Sequence, residues 1–82
     1  MKKKKTDELL ARLAHDIKAA RTQAGLSQEA LALVANIDRT YVSQLERGIA
    51  NPSIQILQRV ANAVGAELTI TLTAMAEGRK GK

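Results

Sequence analysis

The placing of helix breakers constrains this chain more than any other feature. Gly25, Asn36, Gly48 and Gly65 each follow a stretch of helical periodicity, and Ser27, Asp38 and Ser53 each precede the next one. Glycine and asparagine tolerate the left-handed backbone in which helices end. Serine and aspartate accept hydrogen bonds from the free amides with which helices begin. The pattern predicts helices over about 7–24, 28–35, 39–47 and 54–64. Thr6 or Asp7 is the expected cap of the first, with Asp7 and Glu8 placed at the positive end of its dipole.

Each predicted helix carries an apolar stripe at steps of three and four. The stripes are Leu10, Leu13 and Ile17 with Ala20 or Ala24; Leu31, Ala32 and Ala35; Val42 and Leu45; and Ile54, Leu57, Val60, Ala61 and Val64. Ile37 is the expected buried residue of the turn between the second and third. With one Tyr and no Phe or Trp, the core must be built from Leu, Ile, Val and Ala, which suits closely packed helices. Eighty-two residues make one small domain with a limited core, marginal unless something such as dimerisation adds to it.

Several function classes fall away on composition. The absence of Cys removes disulfides and thiolate metal sites, and the single His, His15, cannot build a metal cluster. His15 is expected on the surface of the first helix. No metal and no cofactor is expected. There is no glycine-rich phosphate loop and no spaced carboxylate set, so an enzyme is not the expectation. No apolar run approaches about 18 residues, and no apolar stretch follows the N-terminal lysines to make a secretory signal. A cytoplasmic location, with nucleoid association, is the expectation.

Net charge is a weaker guide than its value of +5 suggests. Lys2 to Lys5 with Arg79, Lys80 and Lys82 supply seven of the thirteen basic residues, which leaves six against eight acids, a net of −2, for the rest. Residues 1–6 read as a disordered basic arm and 75–82 as a flexible basic tail. Such runs are either solvated ends or salt-dependent phosphate contacts.

After Gly65 the period changes to 2. Ala66 to Thr73 alternates, with Leu68, Ile70 and Leu72 on one face, and Thr69, Ile70, Thr71 and Thr73 are β-branched. A strand over 66–74 is predicted, against a fifth helix or a disordered end. The chain contains no second strand to pair with it, and an unpaired strand is not stable. Pairing with the same strand of a second copy across a two-fold axis would satisfy its backbone and bury Leu68, Ile70 and Leu72.

The stretch Ser27 to Gly48, SQEALALVANIDRTYVSQLERG, has what two helices crossing through a tight turn require. Ala32 permits close approach, Asn36 supplies the turn, and Leu31, Ile37, Val42 and Leu45 lock the crossing. The third helix then presents Arg39, Thr40, Ser43, Gln44 and Arg47 outward, with Tyr41 beside its apolar face. A half-anchored helix with a hydrogen-bonding face fits the major groove of double-stranded DNA. An ordinary helical bundle with a polar surface would not need all these features in register.

Residues 17–66 resemble the Xre/Cro family of helix-turn-helix domains, on Arg21, Leu26-Ser27-Gln28, Ala32, Asp38-Arg39-Thr40-Tyr41-Val42-Ser43, Leu45-Glu46-Arg47-Gly48 and Asn51-Pro52-Ser53. The resemblance implies a mainly α, lambda-repressor-like fold of four to five helices. The domain would span 7–65, with the motif at 27–48 and the recognition helix at 39–47. Asn36 to Tyr41 is similar to restriction–modification controller proteins, and the terminal strand resembles that of Hip-type antitoxins, which bind a toxin partner. Helix 2 departs from the family where Ala30 replaces the Glu of a capping box. Leu33 and Val34 stand where the family has polar residues, to pack against a neighbouring element or to bind a protein.

Geometry and the resemblance together imply roles. Arg39 is the candidate for guanine O6 and N7, Gln44 for adenine and Thr40 for a thymine methyl or a phosphate, with Ser43 as a further base reader. Ser27, Gln28, Tyr41, Arg47 and Asn51 are the candidate backbone contacts, Gln28 with the amides of its helix. Arg21 and Glu46 match a family pair that bridges helices 1 and 3 and read as structural. The expected function is a sequence-specific transcriptional regulator, an autorepressor binding a palindromic operator as a homodimer. The alternatives are an antitoxin that also neutralises a toxin, a controller protein, or, more remotely, a protein-interaction adaptor.

Overall fold

A computed structural model describes residues 4–75. Its element order is α1 (Lys5–Gln23), α2 (Gln28–Ala35), α3 (Arg39–Glu46) and α4 (Ile54–Val64). All four helices stop as the breakers predict. After α2, Asn36 lies in the left-handed region (φ 60, ψ 50). Its N–H donates to Leu33 O at 3.3 Å, and Ile37 N–H donates to Ala32 O at 3.0 Å. These two bonds satisfy carbonyls that the last turn would leave orphaned. Gly48 does the same after α3 at φ +75, where the α1 backbone at Ala11 lies 3.7 Å from the position of a Cβ.

The starts divide into two kinds. Ser27 and Ser53 accept from the amides of Ala30 and Ile56 at 3.0 and 3.1 Å. Asp38 occupies the N-cap of α3 but its carboxylate makes no cap hydrogen bond. Its backbone carbonyl accepts instead from Tyr41 and Val42 at 3.0 and 3.1 Å. The first helix begins at Lys5, two residues before the expected start, with Lys4 at its cap and no side-chain bond there. Lys5 and Thr6 therefore belong to α1, and neither Thr6 nor Asp7 is its cap. Lysine is a good helix former, and the Lys5–Glu8 pair, 3.9 Å apart, spans one turn. The remainder of the expected arm at 1–3, and the tail beyond Met75, lie outside the described residues.

The core joins Ile17 of α1, Leu31, Ala32 and Ala35 of α2, Val42 and Leu45 of α3, Val60 of α4 and the loop residue Ala50. Leu31 and Val42 are wholly enclosed. Four alanines, Ala14, Ala32, Ala35 and Ala61, face inward, which lets helices approach without aromatic filler. One stripe residue is misplaced by the period alone. Ile54 is 61% exposed, and Ile56 packs against the core instead. Ile54 is the first helical residue, and a helical side chain leans toward the N-terminus, so it overhangs the end of α4.

Residues 66–75 carry neither a helix nor a paired strand within the single chain. The expected strand at 66–74 is not observed there. A ladder needs a neighbour, and the single chain offers none among the described residues. The start of this segment returns over α1 and α4. Leu13, Ile17, Leu57, Val60, Val64 and Leu68 line an apolar groove of about 220 Å³ there. Leu68 is half-buried, while Ile70 and Leu72 are 57% and 97% exposed.

Candidate nucleic-acid interface

Helix α3 is divided lengthwise. Val42 and Leu45 are buried and Tyr41 packs against the core. Arg39, Thr40 and Arg47 are exposed, and Ser43 and Gln44 are half-buried on the flanks. Apolar and hydrogen-bonding side chains thus share one short helix of 8 residues, the apolar ones fixed and the hydrogen-bonding ones outward. Arg39 and Thr40 stand in its first turn, where the left-handed Asn36 and the turn 36–38 aim the helix.

The back of α3 is held by a polar junction of three helices. Arg21 of α1 donates from Nε to Glu46 Oε2 at 2.5 Å and from Nη2 to Oε1 at 3.0 Å. Its Nη1 donates to Leu26 O at 2.8 Å, which ties down the loop before α2. Gln28, the first residue of α2, donates from Nε2 to Glu46 Oε1 at 3.1 Å. The carboxylate is thus bound by α1 and α2 together, and the Glu46 side chain is only 3% exposed.

Charge follows from that geometry. Burial pushes the Glu46 carboxyl up. Hydrogen bonds from Arg21 and Gln28, with the positive charges of Arg21 and Lys18, outweigh it and hold the group below its ordinary range. The hydrogen bond to Glu46 raises Arg21 further, against a smaller opposing effect of burial. A carboxylate on the exposed side of α3 would repel phosphate. Here it is neutralised and turned inward, so the outward charge of α3 is that of Arg39, with Arg47 exposed at the C-cap just beyond it.

The flanking candidates are distributed around this face. Ser27 is exposed, with its oxygen accepting from Ala30 N and its hydroxyl hydrogen still available to an acceptor. Gln28 is half-buried, and one of its amide hydrogens is committed to Glu46. Asn51 is exposed in the loop after α3. His15 is exposed on α1, away from the other candidates in sequence and without a ligand set. Among the described residues no group of three or more His, Cys, Asp or Glu converges to hold a metal. Among them, too, no helix is long and apolar enough to cross a membrane.

Two connections were not legible in the residues. One is the Gln28–Glu46 bond. The other is Arg59 of α4, whose Nε donates to Ala35 O at 3.1 Å and whose Nη2 donates to Asn36 O at 2.6 Å. The available signal for Arg59 is that α2 has no basic residue in its own last turn, so its negative end asks for a cation from elsewhere.

Two helices crossing through a left-handed turn, the second with a buried and a polar face, define a helix-turn-helix domain. Residues 17–70 match the helix-turn-helix family, and the chain belongs to that family, in its Xre-type branch. It is 42% identical over 53 residues to the immunity repressor protein of Bacillus phage phi105, covering 65% of this chain and 37% of that protein. The controller protein C.AhdI from Aeromonas hydrophila superposes with a TM-score of 0.69 at 38% identity, over 71% of this chain and 88% of that one. The restriction–modification controller protein C.Esp1396I, as a tetramer with its natural 35 base-pair operator, gives 0.68 at 36% identity, over 72% of this chain and 78% of that one. The chain spans 37–57% of the length of the first curated relatives it matches.

Proposed function

We propose that this protein is a sequence-specific double-stranded DNA-binding transcriptional regulator, acting as a homodimeric autorepressor on a palindromic operator. The observation that carries the reading is the division of α3, with Glu46 drawn inward by Arg21 and Gln28 and the hydrogen-bonding side chains left outward. Arg39 reads guanine, Gln44 adenine and Thr40 a thymine methyl, with Ser43 beside them. Ser27, the amides at the start of α2, Tyr41, Arg47 and Asn51 meet phosphates and set the register. Gln28 has a double role in this reading, bracing Glu46 with one amide hydrogen and offering the rest of its amide to the backbone. The protein is a binder rather than an enzyme, and a cytoplasmic location follows from that role.

The dimer is formed by residues 66–74, pairing antiparallel across the two-fold axis and covering Ile70 and Leu72. That symmetry requires half-sites about one helical turn apart, roughly 34 Å. Similarity to C.AhdI and to operator-bound C.Esp1396I supports a second, narrower reading, a controller of a restriction–modification pair. A toxin partner rests on the resemblance of the terminal segment alone. The test is selection of duplexes from a random pool by the purified protein, followed by anisotropy at two salt concentrations. A palindromic consensus is the expected result. Equal affinity for every duplex would overturn sequence-specific reading, and no binding at either salt would overturn DNA binding altogether.

A further inference from the structure

Among the described residues, Arg59 is the one side chain by which α4 holds the turn of the helix-turn-helix by hydrogen bonds. It donates to two consecutive carbonyls, Ala35 O and Asn36 O, the last residue of α2 and the left-handed residue after it. Among the described residues neither carbonyl accepts a backbone N–H. A helix C-terminus carries partial negative charge, and α2 has no basic residue in its own last turn. The guanidinium therefore does two things at once. It satisfies orphan acceptors with a rigid fork of donors, and it places a full positive charge at the end of the helix dipole.

Its position gives that contact a consequence. Residues 36–38 are the whole connection between α2 and α3. Within the connection the backbone is fixed locally, by Asn36 N–H to Leu33 O and Ile37 N–H to Ala32 O. Those bonds fix the shape of the turn relative to α2 only. Arg59 fixes it relative to α4, which packs on α2 and supplies Val60 to the shared core. The other end of α3 is fixed by Glu46 to Arg21 and Gln28. α3 is thus held at its C-terminal end by the Glu46 junction and at its N-terminal end, where Arg39 stands, through the turn that Arg59 grips.

From this geometry we infer that Arg59 is a positioning residue for base reading: it touches no DNA, and it sets the angle at which α3 enters the groove. The inference rests on the DNA-binding function proposed above. Lysine cannot reproduce it, because a single ammonium keeps the charge but not the two-pronged geometry. A misaligned α3 loses base contacts before phosphate contacts, since the latter carry no register of their own.

The experiment compares wild type, Arg59→Lys and Arg59→Met by anisotropy, at a temperature where circular dichroism reports each fully folded. The probes are the duplex selected by wild type and a random duplex of equal length. Arg59→Met is expected to bind the selected duplex about tenfold more weakly, with little change on the random duplex, so the specificity ratio falls by the same factor. Arg59→Lys is expected to lie between. The slope of log affinity against log salt should be unchanged, because no phosphate contact is removed. A slope reduced by about 0.9 would show that Arg59 contacts a phosphate directly and would overturn the positioning role. So would a folded Arg59→Met with the wild-type specificity ratio. Failure of wild type itself to select any duplex is a different outcome, and it sinks the DNA-binding reading. In that case amide exchange decides: faster exchange at Ile37 and Arg39 in Arg59→Met supports the clamp, and unchanged exchange overturns it.

Discussion

The junction of Arg21, Glu46 and Gln28 allows a stability prediction worked from the contacts. Glu46 accepts three hydrogen bonds in a site where its side chain is 3% exposed. Substitution Glu46→Met removes the acceptor and leaves Arg21 facing an apolar neighbour. Breaking a fully buried pair costs about 3–5 kcal/mol. Arg21 keeps 14% exposure and a bond to Leu26 O, so part of its charge can be solvated after the change. The expected loss is about 2–3 kcal/mol, out of a total of about 4–12 kcal/mol for a chain of this length. That corresponds to a fall in Tm of about 10–20 °C. The assay is a double-mutant cycle of Glu46→Met, Arg21→Met and the pair, by thermal and urea unfolding at one fixed protein concentration, since dimerisation would make Tm concentration-dependent. The double variant should lose about 1–2 kcal/mol less than the sum of the singles. Additivity within about 0.5 kcal/mol would refute the reasoning, because it would mean that Arg21 and Glu46 do not support one another.

Three further outcomes are expected. Glu46 is held below its ordinary value of 4.5, so its contribution to stability is complete above that pH and is lost as pH falls below it; wild type should therefore lose more stability than Glu46→Gln on acidification from pH 5 to pH 3, and parallel curves would count against the coupling. Arg39→Ala should weaken operator binding by about 1–3 kcal/mol and relax the preference at one base position; an equal loss on operator and random duplexes would reassign Arg39 to the backbone. Ile70→Asp should give monomers by size exclusion without lowering the helical signal in circular dichroism, since Ile70 is 57% exposed in the single chain; a dimer that survives the change would show that residues 66–74 are not the interface.

What the residues reveal about the fold is the part that is decided locally. A left-handed stop at Asn36 or a serine cap at Ser27 is settled by atoms within four positions, so the ends of α2 are readable letter by letter. The start of α1 is not, because nothing local is required there. Lysine continues a helix as readily as it ends one, and the cap at Lys4 uses no side chain. Burial within a stripe is readable only where the helix has neighbours on both sides. That is why Ile54, at the tip of α4, escapes the core while Ala50, in a loop, enters it. The alternation at 66–74 forms no ladder within the single chain; under the proposed dimer its partner lies in another copy, which period alone does not reveal.

The interface divides in the same way. The outward face of α3 is periodic and therefore visible, from Arg39 and Thr40 to Arg47. The bonds that aim it join residues 25, 18 and 24 positions apart: Arg21 to Glu46, Gln28 to Glu46 and Arg59 to Ala35. No periodicity encodes such pairs, because they depend on how the helices cross, and the first is legible only through family resemblance. Each of the three comes from a different helix, α1, α2 and α4. A polar face of this kind is cheap to write on any amphipathic helix, and holding it at one angle takes the rest of the domain. Recognition by this chain is therefore expected to be as sensitive to Arg21, Gln28 and Arg59 behind α3 as to the side chains in front of it.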